Sequence, residues 1–466
     1  MTINDYDFDT IAAIATPFGM GSIGVVRISG NRAFDIINQI SSQKIDTPNK
    51  IYHCWIVDEN KNFVDEVVIL PFKAPRSYTG EDVIEINCHG GMANVKNILD
   101  IVFKTGARCA KRGEFTKRAF LNKKLDLTQA ESVLDIIHSN TSTFAKKSAT
   151  NLHGKLLIEV QNIKNELLEL LSKIVASIDF PEDVEEMPYN QIENVLNDII
   201  IKIKKILSQA NESNILRQGI KVALLGAVNV GKSSLFNKLL NLNRAIVTNI
   251  PGTTRDVIQE NITINDLNIN LSDTAGLRDI NLADEVEKIG INLSNDEVHN
   301  ANLVLFVCDL TVNVSDEDIK TYQKIKEKPH IIVFSKTDLV EEKEPDNIIK
   351  AKLSKLKAEN ENNYVAISTK NDINIDKLKN MIFKTVTEKL NSFDELEYVT
   401  NIRQQNCFYE ALKSLKLAKE GTQNQELQDL ISIDIKGALL KLEEITGENI
   451  NEDVLNNIFE KFCIGK

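Results

Sequence analysis

At 466 residues the chain is too long for one ordinary hydrophobic core, which implies two or three domains. Hydrophobic residues make up 42% and charged residues 26%, a balance that excludes intrinsic disorder. The formal net charge of −12 argues against indiscriminate nucleic-acid binding, and no stretch approaches the ~18 apolar residues of a membrane span.

The polar start MTINDYDFDT lacks the basic and apolar regions of a secretory leader. Six cysteines stand singly at 54, 88, 109, 308, 407 and 463, with no Cys-x-x-Cys pair. These features predict reduced thiols, a cytoplasmic location and no structural zinc. One stretch runs against the net charge. Lys104, Arg108, Lys111, Arg112, Lys117, Arg118, Lys123 and Lys124 accompany a single acid, Glu114. It reads as a solvated basic face or as a seat for an anion or RNA backbone, and composition does not choose.

In chain order, residues 1–123 mix short apolar runs with Gly-rich turns. Residues 23–28 (IGVVRI) and 67–70 predict strands and 31–40 a helix, so this region is α+β. Over 124–216 the pattern changes to long Leu- and Ile-rich segments at helical spacing, such as 153–177 and 190–211. The same character returns over 388–466. Between them, 217–387 alternates strand and helix patterns like a doubly wound α/β domain. The layout predicts a discontinuous helical domain carrying an inserted α/β domain with its two ends close together.

Residues 221–225 (KVALL) predict a buried strand, followed by Gly226-Ala-Val-Asn-Val-Gly231-Lys232-Ser233 and a helix from Ser234. This is GxxxxGK[ST] in its strand–loop–helix setting. The glycines let backbone N–H groups curl around a phosphate, and the helix N-terminus adds positive potential. Lys232 then reaches the β- and γ-phosphates, and the Ser233 hydroxyl ligates Mg²⁺. Downstream, Thr253-Thr254 in PGTTRD is spaced as a switch on the γ-phosphate. Asp273-Thr274-Ala275-Gly276 ends a predicted strand at 267–272. Ser335-Lys336-Thr337-Asp338 ends one at 330–334, and Ser368-Thr369-Lys370 ends one at 364–367. All but the switch fall at carboxyl ends of strands, where an open parallel sheet binds its ligand.

Together these segments resemble the five G motifs of GTP-binding proteins, and they predict GTP hydrolysis. Asp338 accepts from guanine N1–H and the exocyclic amine, a donor pair that adenine lacks. Ser335 stands where the motif usually carries Asn. Its shorter side chain predicts a weaker brace and lower nucleotide affinity, with guanine selectivity kept. Leu277 occupies the place of the water-orienting Gln of Ras-like proteins. Other groups must then supply positioning and charge. The Asn229 side-chain oxygen either ligates a monovalent cation against the phosphates, stabilising the transition state, or merely braces the loop.

The ends of the chain carry a broader resemblance. DTIAAIATPFGMGSIGVVRISG, SYTGEDVIEINCHGG, GEFTKRAFLNKKLDLTQAES and the terminal EEITGENINEDVLNNIFEKFCIGK, with the G motifs, resemble the MnmE (TrmE) family over nearly the whole length. Members are GTPases that modify the wobble uridine of certain tRNAs. The resemblance implies an N-terminal dimerisation and tetrahydrofolate-binding domain (1–123), a helical domain in two segments (124–216 and 388–466) and a G domain (217–387). It also implies a homodimer, joined by the FAD-dependent protein MnmG in a heterotetramer. That assembly adds an aminomethyl-type group, such as carboxymethylaminomethyl, to C5 of uridine 34, drawing one carbon from 5-formyl- or methylene-tetrahydrofolate.

Carried over by motif, the GTP site comprises Asn229, Val230, Gly231, Lys232, Ser233 and Ser234. The switch adds Thr248, Asn249, Ile250, Pro251, Gly252, Thr253 and Thr254. Asp273, Thr274, Ala275 and Gly276 follow, then Ser335, Lys336, Thr337 and Asp338, then Ser368, Thr369 and Lys370. Potassium would take Asn229, Thr248, Ile250 and Thr253, and magnesium Ser233 and Thr254. The implied folate residues are Arg27, Glu85, Lys124 and Lys466, which favours the anion reading of the basic stretch. Glu287 matches the family's water-activating Glu; a solvated helical Glu is the plainer alternative. Cys463, between Phe462 and Ile464, is expected to pack near the folate pocket rather than attack uridine C6. Asn401-Ile-Arg-Gln404 departs from the family's Arg-His and implies local repacking. A different reading makes the chain an RNA-binding GTPase switch in ribosome assembly, but it leaves FTKRAFLN and CIGK without a use.

Overall fold

The computed structural model describes residues 9–243, 259–273, 298–340, 345–358, 362–388 and 393–466. In chain order the first elements are β1 (Ile11–Ile14), β2 (Ile23–Ser29), α1 (Ala33–Ile40), β3 (Tyr52–Val57), β4 (Phe63–Phe72), β5 (Val83–His89), α2 (Met92–Lys104), β6 (Arg108–Cys109) and α3 (Glu114–Leu121). Then come α4 (Leu127–His138), α5 (Ser142–Leu152), α6 (Lys155–Asp179), α7 (Tyr189–Ser208) and α8 (Ala210–Gln218). The inserted part contains β7 (Ile220–Leu225), α9 (Lys232–Asn243), β8 (Gln259–Ile264), β9 (Leu267–Asp273), β10 (Leu303–Asp309), α10 (Asp316–Ile325), β11 (His330–Ser335), α11 (Pro345–Leu356), β12 (Tyr364–Ala366) and α12 (Ile375–Thr387). The chain closes with α13 (Ile402–Gln423), α14 (Gln428–Thr446) and α15 (Glu452–Phe459).

Two compact units form. The first holds the described residues up to Ile137, with Ala149–Lys204 and Asn406–Lys466. Its sheet runs β3-β4-β5-β2-β1-β6, antiparallel except where β6 joins β1. Alternation sets its faces: Val26 and Ile28 point into a core with Ile36, Ile37, Ile98 and Val102 of α1 and α2. Each such fully buried aliphatic side chain stabilises the fold by roughly 1.5–3 kcal/mol. The alternate residues of β2 and β5 therefore turn to the other face, and register sets Arg27 opposite Glu85. In the helical part, α6 buries Leu156, Val160, Ile163, Leu167, Leu170 and Ile174 at three- and four-residue spacing and packs along α14. Phe459, the last residue of α15, and Phe462 just beyond it are buried with Leu127, Ala130 and Val133 of α4, which anchors the C-terminal tail to this unit.

The second unit holds the described residues of His138–Ser148 and Lys205–Gln405. Its sheet runs β12-β11-β10-β7-β9-β8, parallel except for the β8–β9 hairpin. Leu235, Leu239, Leu378 and Ile382 of α9 and α12 cover one face. Tyr322, Ile325, Leu353 and Leu356 of α10 and α11 cover the other. This is the doubly wound arrangement, and it explains why β10 (LVLFVCD) is buried throughout. From β7 the chain passes to β9 on one side and returns to β10 on the other, which opens a crevice at the carboxyl ends.

Several boundaries differ from the sequence expectation. The helix expected over 190–211 is two helices, α7 and α8, separated at Gln209 (φ −96, ψ 6), where no Pro or Gly marks the break. Helix α9 starts at Lys232 rather than Ser234, because Gly231 (φ +97) ends the loop immediately before it. At Asn401, the side chain accepts from Gln404 N at 2.9 Å while Gln404 Oε1 accepts from Asn401 N at 3.0 Å. The departure from Arg-His thus forms a reciprocal cap on α13.

One contact ties the β8–β9 hairpin to a helix start. Asn265 and Asp266 both have positive φ, as a tight two-residue hairpin requires. The turn aims the Asp266 carboxylate at the N-terminus of α5. There it accepts from Ser142 N (2.7 Å), Ser142 Oγ (2.9 Å), Thr143 N (2.7 Å) and Thr143 Oγ1 (2.6 Å). Burial alone would raise its pKa, but these donors outweigh burial and lower it. Asp266→Ala is expected to cost about 1–3 kcal/mol and lower the melting temperature by several degrees. Calorimetry of the full chain checks this; an unchanged melting temperature would mean the cap contributes nothing.

Candidate functional site

The loop between β7 and α9 is built on unusual backbone angles. Gly226 has φ +153, and a Cβ there would lie 2.2 Å from Val307 O of β10, so no other residue fits. Asn229 has φ +64 and Gly231 φ +97, which curls the loop. Lys232 is buried, and its ammonium donates to Gly226 O (2.9 Å) and Ala227 O (2.6 Å). A cation therefore sits inside the curl of the loop, with Ser233 and Ser234 exposed on the first turn of α9. Asn229 is exposed, and among the described residues its side-chain amide makes no hydrogen bond. The backbone of Asp273 pairs in register with Leu224, which places it beside the strand that enters the loop.

A second loop cluster faces the first. Ser335 ends β11, and its buried hydroxyl donates to Val230 O at 2.6 Å and Cys308 O at 3.3 Å. The serine is shorter than the expected Asn, yet it still reaches the phosphate loop. Lys336, with φ +60, donates to Asn229 O at 2.9 Å and pairs with Asp309 Oδ2 at 2.6 Å. Asp338 accepts from the buried Ser368 hydroxyl at 2.6 Å, and that bond holds its carboxyl below the usual range. Ser368 Oγ also accepts from Asn371 N, and Thr337 N donates to Ile367 O. Thr369 and Lys370 continue this loop, Lys370 being exposed. Thus Asn229 to Ser234, Ser335 to Asp338 and Ser368 to Lys370 all gather at the carboxyl edge of the sheet. Thr248, Asn249, Ile250, Pro251, Gly252, Thr253, Thr254, Thr274, Ala275, Gly276, Leu277 and Glu287 lie outside the described residues.

In the first unit the terminal tail meets the face of the sheet opposite α1 and α2, where Ile11, Ala13 and Phe115 are buried. Arg27 Nε and Nη2 bind Glu85 Oε1 at 2.9 and 2.8 Å, and Nη1 donates to Gly465 O at 3.3 Å. The guanidinium lies over Tyr78 and Phe115, 5.2 and 5.6 Å from the ring centroids. Lys466 is half-buried beside this pair. Desolvation first, then the Arg27 charge, lowers its pKa, with Glu85 opposing. Lys124 instead donates to Pro75 O at 3.1 Å, on the loop that leads to Tyr78.

Two expectations for this unit change. Arg108 and Arg118 are engaged by internal acids: both bind Asp9 and Glu114, and Arg118 also binds Glu81. Burial pushes the Glu114 carboxyl up, but the two guanidiniums and the Lys111 N–H more than offset it and hold it at about 2. Lys104, Lys111, Arg112, Lys123 and Lys124 remain exposed, so only part of the basic stretch is a basic face. Cys463, expected to pack, is exposed; Phe462 beside it fills the core instead.

Comparison with known proteins bears on both units. Residues 127–463 match the family model described as the MnmE helical domain, and 10–124 match the GTP-binding protein TrmE N-terminus. The tRNA modification GTPase MnmE of Acetivibrio thermocellus is 41% identical over 467 residues, covering 99% of this chain and 100% of its own. The proteins of the same name from Clostridioides difficile (strain 630) and Desulforamulus reducens are 40% and 42% identical, each covering 98% of this chain and 99% of their own. The chain belongs to the MnmE family of tRNA modification GTPases. In this MnmE-family chain Asp309 and Lys352 also stand at the nucleotide site, outside the G motifs. Lys352 is a buried cation that donates to Asp309 O at 2.9 Å and also to Val312 O. The one signal available was an acid closing an apolar strand two residues before a Thr, and Asp309 accepts from that Thr311 N–H and hydroxyl. Among the described residues, no helix is long and apolar enough to cross a membrane.

Proposed function

We propose that the chain is a potassium-stimulated GTPase acting with a flavoprotein of the MnmG kind to modify C5 of the wobble uridine of certain tRNAs. The observation that carries this reading is the exposed carboxamide of Asn229. It is held at φ +64 on the phosphate loop, next to Lys232 and Ser233. An oxygen donor in that position suits a hard cation. Potassium would be held by Asn229, Thr248, Ile250 and Thr253, and magnesium by Ser233 and Thr254. When bound, the two ions supply positive charge against the transferring phosphoryl group. Lys232 binds the β- and γ-phosphates, the N–H groups of the loop orient them, and Asp338 selects guanine. Glu287 is the residue assigned to hold the attacking water, acting through a second water.

The N-terminal domain (1–123) is assigned to dimerisation and to tetrahydrofolate. Arg27 and Lys466 would meet the folate carboxylates, Glu85 the pterin edge, and Lys124 the rim. These residues fit an anion with an aromatic body: two cations and one acid sit beside Tyr78 and Phe115. The G domain (217–387) would act on this site through the helical segments (124–216 and 388–466), in the cytoplasm. GTP turnover of purified protein is expected to be about tenfold or more faster in potassium than in sodium at equal ionic strength. Equal rates would remove the cation from the mechanism. Unmodified wobble uridine in cells lacking the protein, measured by mass spectrometry, checks the tRNA assignment.

A further inference from the structure

We propose that Asp309 is a positioning residue of the nucleotide site, setting GTP and GDP affinity by holding Lys336 across to the phosphate loop. Strands β10 and β11 are parallel neighbours, and their register puts Asp309 level with Ser335. The residue after Ser335 is therefore delivered directly over the Asp309 carboxylate. One carboxylate oxygen accepts from Thr311 N (2.8 Å) and Thr311 Oγ1 (2.7 Å), which fixes the rotamer. The other meets Lys336 Nζ at 2.6 Å. The acid is 6% exposed and the lysine 36%, so the pair is partly withdrawn from water and only weakly screened. Burial acts to raise the Asp309 pKa, but Lys336 and Thr311 together lower it, which keeps the acid ionised at neutral pH.

The same ammonium donates to Asn229 O at 2.9 Å. A single cation thus joins the end of β10, the guanine loop and the phosphate loop at its left-handed residue. The Ser335 hydroxyl on Val230 O makes a parallel link one residue further along. Without the acid, Lys336 keeps only a neutral carbonyl as partner among the described residues, and its flexible stem can carry the ammonium into solvent. The two halves of the nucleotide site would then hold their spacing less firmly, and bound nucleotide would have to order them. A purely structural ion pair would change melting behaviour and leave affinity alone.

The test uses the full-length protein with Asp309→Asn, which keeps the size and the Thr311 bonds, and Asp309→Glu, which keeps the charge. Equilibrium binding of a fluorescent GDP analogue is expected to weaken about tenfold in D309N, with KM for GTP rising in parallel. At saturating GTP, kcat should change much less than KM. D309E should recover most of the loss. In a Lys336→Met background, D309N should add little, because the carboxylate acts through that lysine. Wild-type affinity in D309N, with or without a lower melting temperature, would overturn the proposal. So would full additivity with Lys336→Met. Both readouts compare variants in one potassium buffer, so they are scored separately from the potassium–sodium contrast.

Discussion

Replacing Lys232 with alanine is expected to reduce single-turnover GTP hydrolysis about a thousandfold, equivalent to about 4 kcal/mol of transition-state stabilisation. The lysine is buried within the loop, and its ammonium donates to two backbone carbonyls of that loop. These bonds fix the ammonium within the curl of the loop, where the motif places the phosphates. In a loosely bonded phosphoryl transition state the protein contributes mainly position and charge, so loss of this cation acts on the rate itself. The fold should tolerate the change, since the Gly226 and Gly231 backbone that shapes the loop remains. A variant that hydrolyses GTP within tenfold of the wild type would exclude Lys232 from the chemistry.

Gly465→Ala is expected to abolish tRNA modification, by about a hundredfold or more, while leaving intrinsic GTP hydrolysis intact. Gly465 has φ +97, and a Cβ at that position would lie 2.1 Å from Ile14 O. Neither the angle nor the overlap with the backbone of β1 can be relieved by a rotamer change, so the tail must move. Movement would break the bond from Arg27 to Gly465 O and carry Lys466 away from Arg27 and Glu85. Measuring modified uridine and GTP turnover on the same preparation separates the two effects. Normal modification would show that the tail does not serve the Arg27 pocket.

Some of this protein could be read from the chain alone because the relevant physics is local. The run from Gly226 to Ser233 lies between an apolar strand and an amphipathic helix. Its left-handed angles at Gly231 and Asn229 follow from residue types that accept them. The alternation of IGVVRI likewise fixed which side chains of β2 face the core, and so which face carries Arg27. The Lys164 to Glu448 bond (2.5 Å) had no such local marker, because α6 and α14 meet only in the folded first unit.

The partners of those same residues were decided only by tertiary structure. The bond from the short Ser335 hydroxyl to Val230 O depends on the distance between β11 and the phosphate loop. Arg108 and Arg118 looked like anion ligands, but Asp9, Glu81 and Glu114 converge on them from three separate segments. Cys463 and Phe462 are neighbours in an apolar stretch, and only the packing against α4 determines which one is buried. Strand register placed Asp309 beside Lys336 and Arg27 beside Glu85, across gaps that no sequence spacing records. Backbone angles and side-chain periodicity depend on a few adjacent residues. Charge pairing and burial depend on which distant segments the core brings together.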